Sequence, residues 1–161
     1  MGYEEINLNL GCPSKTVVTK KKGSDFLAFP EELDCFLYEI FSKANYKISI
    51  KTRIGKDSPE EFYRLLEIYN KYPIEELTIH PRIQTDYYNN MPNLDMFELA
   101  YDKSENQICY NGNIHRKEDY ETFIARFTQT KAIMLGRGII ANPGLVYLQK
   151  LVSLPFSPLI H

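Results

Sequence analysis

Short apolar runs, partly β-branched, recur at residues 4–10, 47–53, 75–80, 107–111 and 130–136. Each is bounded by turn residues, the pattern of strands buried on both faces. Between them the apolar period changes. Leu33, Phe36, Leu37, Ile40 and Phe41 fall on one face of a helix, as do Phe62, Leu65, Leu66 and Tyr69, and Tyr120, Phe123, Ile124 and Phe127. Ser58-Pro59-Glu60-Glu61 predicts a capping box with proline in the first helical position, and Asn142-Pro143 predicts the opening of a last helix. Residues 93–104 read as a less periodic helix. The sequence has no internal repeat, low-complexity tract or linker.

Strand–helix alternation predicts an α/β fold with a parallel sheet. An open doubly wound sheet and a (β/α) barrel both satisfy it. The chain lacks the G-x-G-x-x-G and P-loop fingerprints, which favours the barrel. The expectation is therefore a partial TIM-type (β/α) barrel of about five parallel strands.

Composition narrows the setting. The 161 residues are 43% hydrophobic and 25% charged, as in a globular domain with a real core. A net charge of −2 gives no global signal for nucleic acid, so any polyanion contact needs a local basic patch. Cys12, Cys35 and Cys109 are widely spaced without a C-x-x-C, which argues against a metal site. Cys35, on a helix's apolar face, and Cys109, inside a strand, read as core residues. No signal peptide or membrane-length apolar run is present, and Ile6 stands where a myristoylation site has Ser or Thr. The expectation is a cytoplasmic protein with reduced thiols and no membrane contact.

The chemistry collects where the strands stop. The first run ends at Asn9 and Cys12, the second at Lys51-Thr52-Arg53, and the third at His80-Pro81-Arg82. The fourth ends at Asn111-Gly112-Asn113 and the fifth at Gly136-Arg137-Gly138. In a parallel α/β fold these ends share one face, and that face carries the site. Gly112 and the Gly136/Arg137 pair suit a phosphate, glycine allowing close backbone approach and arginine a bidentate clamp. Taken singly, each has a plain alternative. Lys51 reaches solvent, His80 bonds backbone, Arg53 and Arg82 form rim ion pairs, and Asn111-Gly112 is an ordinary turn. The joint pattern favours a site.

These motifs resemble the tRNA-dihydrouridine synthases. Asn9-Leu10-Gly11-Cys12-Pro13-Ser14-Lys15-Thr16-Val17 resembles their active-site segment. Lys51-Thr52-Arg53, His80-Pro81-Arg82, Asn111-Gly112-Asn113-Ile114 and Met134-Leu135-Gly136-Arg137-Gly138 with Asn142-Pro143 follow in family order. The similarity covers residues 2–150 and implies an FMN-dependent barrel that reduces uridine in tRNA to 5,6-dihydrouridine. It implies NADPH as reductant, hydride passing from FMN to uracil C6, and Cys12 protonating C5. Thiols titrate near 8.5 in water, so a cysteine is chemically able to serve as a general acid at neutral pH. The resemblance places Asn9 and Arg82 at the substrate, Lys51 by the flavin N1/O2 and His80 near the flavin. It places Asn111, Gly112, Asn113, Gly136 and Arg137 on the flavin phosphate.

The chain also departs from the family. Asn113 stands for a usual Asp, Ile83 for a common Thr and Tyr87 for a common Gly. The usual glycine-rich run after the cysteine is replaced by Lys20-Lys21-Lys22-Gly23, which with Lys15 offers contacts to tRNA phosphates or a solvated loop. The family's first three strands and its C-terminal helical domain have no counterpart. Residues 1–154 are thus expected to be the C-terminal part of an eight-stranded FMN-binding barrel, with 155–161 a tail. Unpaired edges and apolar barrel-lining residues predict aggregation, dimerisation or a complementing N-terminal fragment, with weak FMN binding and little turnover alone. Two alternatives stay open: a dihydroorotate-dehydrogenase-type reductase, or an inactive remnant acting as an interaction module.

Overall fold

The computed structural model describes residues 3–19, 22–87 and 89–145. Five strands make one sheet: β1 (Glu5–Asn9), β2 (Lys47–Gly55), β3 (Leu77–Ile83), β4 (Ile108–Tyr110) and β5 (Ala132–Ile133). Every neighbouring pair is parallel and the order is β1-β2-β3-β4-β5. Sequential parallel strands joined by helical crossovers are the winding of a barrel wall. A doubly wound sheet reverses its order at a switch point, and this one does not. The fold is a partial (β/α) barrel.

The helices are α1 (Lys15–Val18), α2 (Pro30–Lys43), α3 (Glu61–Tyr69), α4 (Leu94–Lys103), α5 (Lys117–Arg126) and α6 (Arg137–Ala141). Their apolar faces pack on one side of the sheet. Leu33 and Leu37 of α2 are buried, and so are Phe62, Leu65, Leu66, Ile68 and Tyr69 of α3. They join Ile48, Ile50, Ile54, Leu77 and Ile79 from the strands in one core cluster. Under α4 and α5 the core is aromatic: Tyr110 stacks on Phe123 at 4.0 Å, and Phe97 meets Phe127 edge-on at 5.1 Å. The start of α3 keeps half of the expected capping box. The Glu61 carboxylate accepts the Ser58 N–H at 2.9 Å, but regular helix begins only at Glu61. Asn142 closes α6, and the body of the helix expected after Pro143 lies outside the described residues.

Three expectations need correction. Cys35 is exposed, because it sits at the margin of the α2 apolar stripe, whereas Cys109 is buried as expected. Phe36 is 39% exposed and packs edge-on against Phe26 instead of entering the core. The barrel lining, expected to be apolar, is polar. Side chains alternate across a strand, and Thr52 bonds the Tyr69 hydroxyl of α3 on the helix side. Lys51 and Arg53 therefore face the other way, with Asn7, Asn9 and Ser49, and with Thr78, His80 and Arg82 across the β2–β3 ladder.

Candidate functional site

Because all five strands are parallel, their C-terminal ends lie along one edge of the sheet. The turn after β1 is held from several sides. The Leu10 N–H donates to the Lys51 carbonyl at 2.8 Å, and the Gly11 N–H donates to Asn9 Oδ1 at 3.1 Å. Gly11 packs on the β2 backbone, where an added Cβ would sit 3.2 Å from the Thr52 carbonyl carbon. The next carbonyl, that of Cys12, accepts from both the Ser24 N–H and the Ser24 hydroxyl, each at 3.0 Å. Gly23 makes this possible, with φ of +59° and no room for a Cβ, which would lie 2.5 Å from the Cys12 oxygen. The Cys12 thiol is free and half-buried.

β2 contributes Lys51 and Arg53 to the same region. Lys51 pairs in register with Asn9 on one side and Thr78 on the other. Burial, with Arg53 nearby, lowers its ammonium pKa to about 8, and the Cys12 and Cys109 sulfurs lie within electrostatic reach. Arg53 is buried at 1% exposure, not at the rim. Its guanidinium donates to the carbonyls of Gly11 (3.1 Å), Ile83 (2.8 Å) and Tyr87 (3.0 Å). Tyr87 carries a φ of +48°.

β3 runs through Pro81 to Ile83, three residues beyond Arg53's register partner His80, while β2 advances only two from Arg53 to Gly55, so the extra residue is a bulge on β3 that carries the pairing past the missing proline N–H. His80 and Arg82 are both buried. Arg82 Nη1 lies 2.7 Å from His80 Nε2. Guanidinium only donates, so Nε2 is the acceptor and the imidazole proton sits on Nδ1. Burial, reinforced by Arg53, Lys51, Arg82 and Arg137, drops the His80 pKa to about 3, which keeps the ring neutral. Arg82 also donates to the Asn90 carbonyl at 2.7 Å and to Asn113 Oδ1 at 3.2 Å. Arg137 reaches the same Asn113 oxygen at 3.4 Å.

The last two strand ends are locked together. Asn111 Nδ2 donates to the Met134 carbonyl at 2.9 Å. A side chain at Gly138 would collide with the Ile114 carbonyl, and one at Gly112 with the Tyr110 hydroxyl. Gly136, by contrast, has nothing within 4 Å of where a Cβ would stand. Arg137, exposed beside the open space at Gly136, fits a phosphate-bearing anion such as FMN, with Lys51 a second cation farther along the edge, while the buried Arg82 guanidinium is engaged by His80, Asn90 and Asn113.

The expected residues thus come together in two groups: Asn9, Cys12 and Lys51 at β1–β2, and His80, Arg82, Asn113 and Arg137 across β3–β5. Asn9 is partly diverted, since its side-chain oxygen holds the Cys12 turn. Sequence reading named Arg53 at a strand end without giving it a role in the site, and it missed Gly23 and Ser24. The positive charge of Arg53 suggested a rim ion pair, and nothing local marked Ser24 as lying beside a residue twelve positions earlier. Lys22 is exposed, and Lys20 and Lys21 lie outside the described residues.

Residues 1–156 match the family model described as Dihydrouridine synthase (Dus). The chain is 29% identical over 145 residues to tRNA-dihydrouridine synthase B of Pasteurella multocida, covering 89% of this chain and 43% of that protein. It is 28% identical to tRNA-dihydrouridine(16) synthase of Pseudomonas putida, over 90% of this chain and 45% of the relative. It is also 28% identical to tRNA-dihydrouridine(20/20a) synthase of Synechocystis sp., over 89% and 46%. The chain spans about half the length of the curated relatives it matches. No helix among the described residues is long and apolar enough to cross a membrane. The chain belongs to the dihydrouridine synthase family.

Proposed function

We propose that this chain supplies the Cys12-bearing half of an FMN-dependent tRNA-dihydrouridine synthase, with NADPH as the reductant and tRNA as the substrate. The observation that carries the reading is the convergence of a clamped Cys12 turn with half-buried Lys51 and the buried Arg53 and Arg82 on one sheet edge. Reducing the uracil 5,6 double bond needs a hydride equivalent at C6 and a proton at C5. Bound FMN supplies the hydride equivalent. The chain's own residues do the rest.

Cys12 gives its proton to C5 from a turn whose backbone is fixed, which keeps donor and carbon aligned. Lys51 carries positive charge below about pH 8 and stabilises negative charge beside it. His80, neutral with its proton on Nδ1, is a hydrogen-bond donor and not a cation. Arg137, Asn113, Gly112, Asn111 and Gly136 hold the phosphate, while Asn9 and Arg82 orient the base. The target uridine must leave its stack to reach such a site.

β1 and β5 form the sheet edges among the described residues. A groove of about 440 Å³ lined by Leu8, Leu10, Phe26 and Phe36 runs beside β1. Further barrel strands, supplied by a complementing segment, would cover it and complete the flavin site. The test is dihydrouridine formation in transcribed tRNA with FMN and NADPH, with and without a co-expressed segment carrying a relative's preceding strands. The complemented sample should form dihydrouridine, and Cys12→Ala should abolish this while keeping flavin. No product on complementation, or full activity in the variant, overturns the proposal.

A further inference from the structure

We infer that Arg53 is a positioning residue for Cys12, tying the turn that carries the thiol to the loop that follows β3. The inference rests on the reading of Cys12 as the proton donor, and its geometry comes from two successive peptide planes. The plane before Cys12 is held by Arg53, whose Nε donates to the Gly11 carbonyl at 3.1 Å, and the plane before that by Asn9, whose Oδ1 accepts the Gly11 N–H. The plane after Cys12 is held by Ser24, whose N–H and hydroxyl both donate to the Cys12 carbonyl. Peptide units are rigid, so fixing the planes on either side of one residue fixes its φ and ψ. The direction of the Cα–Cβ bond follows, and only rotation about χ1 is left to the thiol.

Arg53 makes this arrangement depend on a second loop. Its Nη1 and Nη2 donate to the Ile83 and Tyr87 carbonyls at 2.8 and 3.0 Å. Guanidinium presents its N–H groups in one rigid plane, so three carbonyls from two loops are set relative to each other. Tyr87 shows that the restraint is used. Its φ of +48° is sparsely populated for a residue with a side chain, and its carbonyl is one of the three that Arg53 holds. A lysine at position 53 keeps the charge but cannot reproduce the planar fork.

The chain's three cysteines give the test its own controls. Cys35 is exposed and remote on α2, Cys12 is half-buried in the clamped turn, and Cys109 is buried in β4. Wild type, Arg53→Lys and Arg53→Gln are treated with iodoacetamide, and the alkylation rate at each cysteine is read by peptide mass. The expected result is a rise of about fivefold in the Cys12-to-Cys35 rate ratio in both variants, the population change that losing one net hydrogen bond gives, with Cys109 still protected. An unchanged ratio in both overturns the inference. A change in Arg53→Gln alone assigns the effect to charge and also overturns it. Reaction of Cys109 in both variants makes Arg53 a residue of the whole fold and overturns it too. No flavin or tRNA enters the assay, so its outcome stands apart from the proposed activity.

Discussion

Replacing Lys51 with methionine should stabilise the protein while weakening its hold on anions. Methionine keeps an unbranched stem of similar length and removes the ammonium. Burial and the neighbouring Arg53 lower the Lys51 pKa from 10.5 to about 8. By linkage, keeping that proton in the fold costs about 3 kcal/mol at pH 7. The unfolded chain binds the proton up to about 10.5 and the folded chain only up to about 8. Between those values the unfolded state binds more protons, so the stability of the wild type rises with pH relative to the variant. The gap in favour of Lys51→Met should narrow to about 1 kcal/mol at pH 10. Urea unfolding of both proteins at pH 7 and pH 10, followed by far-UV circular dichroism, reads the difference directly. Equal stability at pH 7, or a gap that widens with pH, would refute the reasoning.

Other outcomes follow from the same geometry. Tyr87→Gly should stabilise the fold by about 1 kcal/mol, since relief of the positive φ exceeds glycine's entropy cost, and equal or lower urea midpoints would count against the strain. Gly23→Ala should destabilise by about 2 kcal/mol and raise the alkylation rate of Cys12, because its Cβ would press on the Cys12 carbonyl. The His80 ring should not titrate between about pH 5 and 8 by proton NMR, being held neutral to about 3. Stability should accordingly fall as pH drops from 6.5 toward 3, where the unfolded chain takes up a proton that folded His80 refuses. An NMR midpoint near 6.5 would contradict this.

Much of the architecture was legible because periodicity reports burial. The strands at Lys47–Gly55 and Leu77–Ile83 and the helix at Glu61–Tyr69 all carry runs long enough to show their period. The fifth strand shrank to Ala132–Ile133 because an apolar run does not reveal how many residues find a ladder partner. Pro81 concealed the extension of β3, since the strand passes its missing donor in a bulge of its own before pairing resumes at Ile83. In the site, the chemistry-bearing residues were readable by type and by position at strand ends. Their supports were not. Ser24 and Arg53 act on the Cys12 turn from 12 and 42 positions away in the chain, contacts that only the fold creates. The polar lining was present in the sequence as Asn7, Asn9, Ser49, Lys51 and Arg53. It was read as buried strand because the intervening Leu8, Ile48 and Ile50 dominate the same runs.

In the proposed reading, five strand ends of this chain form an FMN-binding face. Its most direct test is titration of the purified protein with FMN, followed by flavin fluorescence, alongside the Arg137→Ala and Lys51→Met variants. The isolated chain should bind FMN weakly but saturably, and loss of either cation should weaken binding about a further tenfold. Folded protein that binds no FMN, or binds it equally well without Lys51 and Arg137, would contradict that reading.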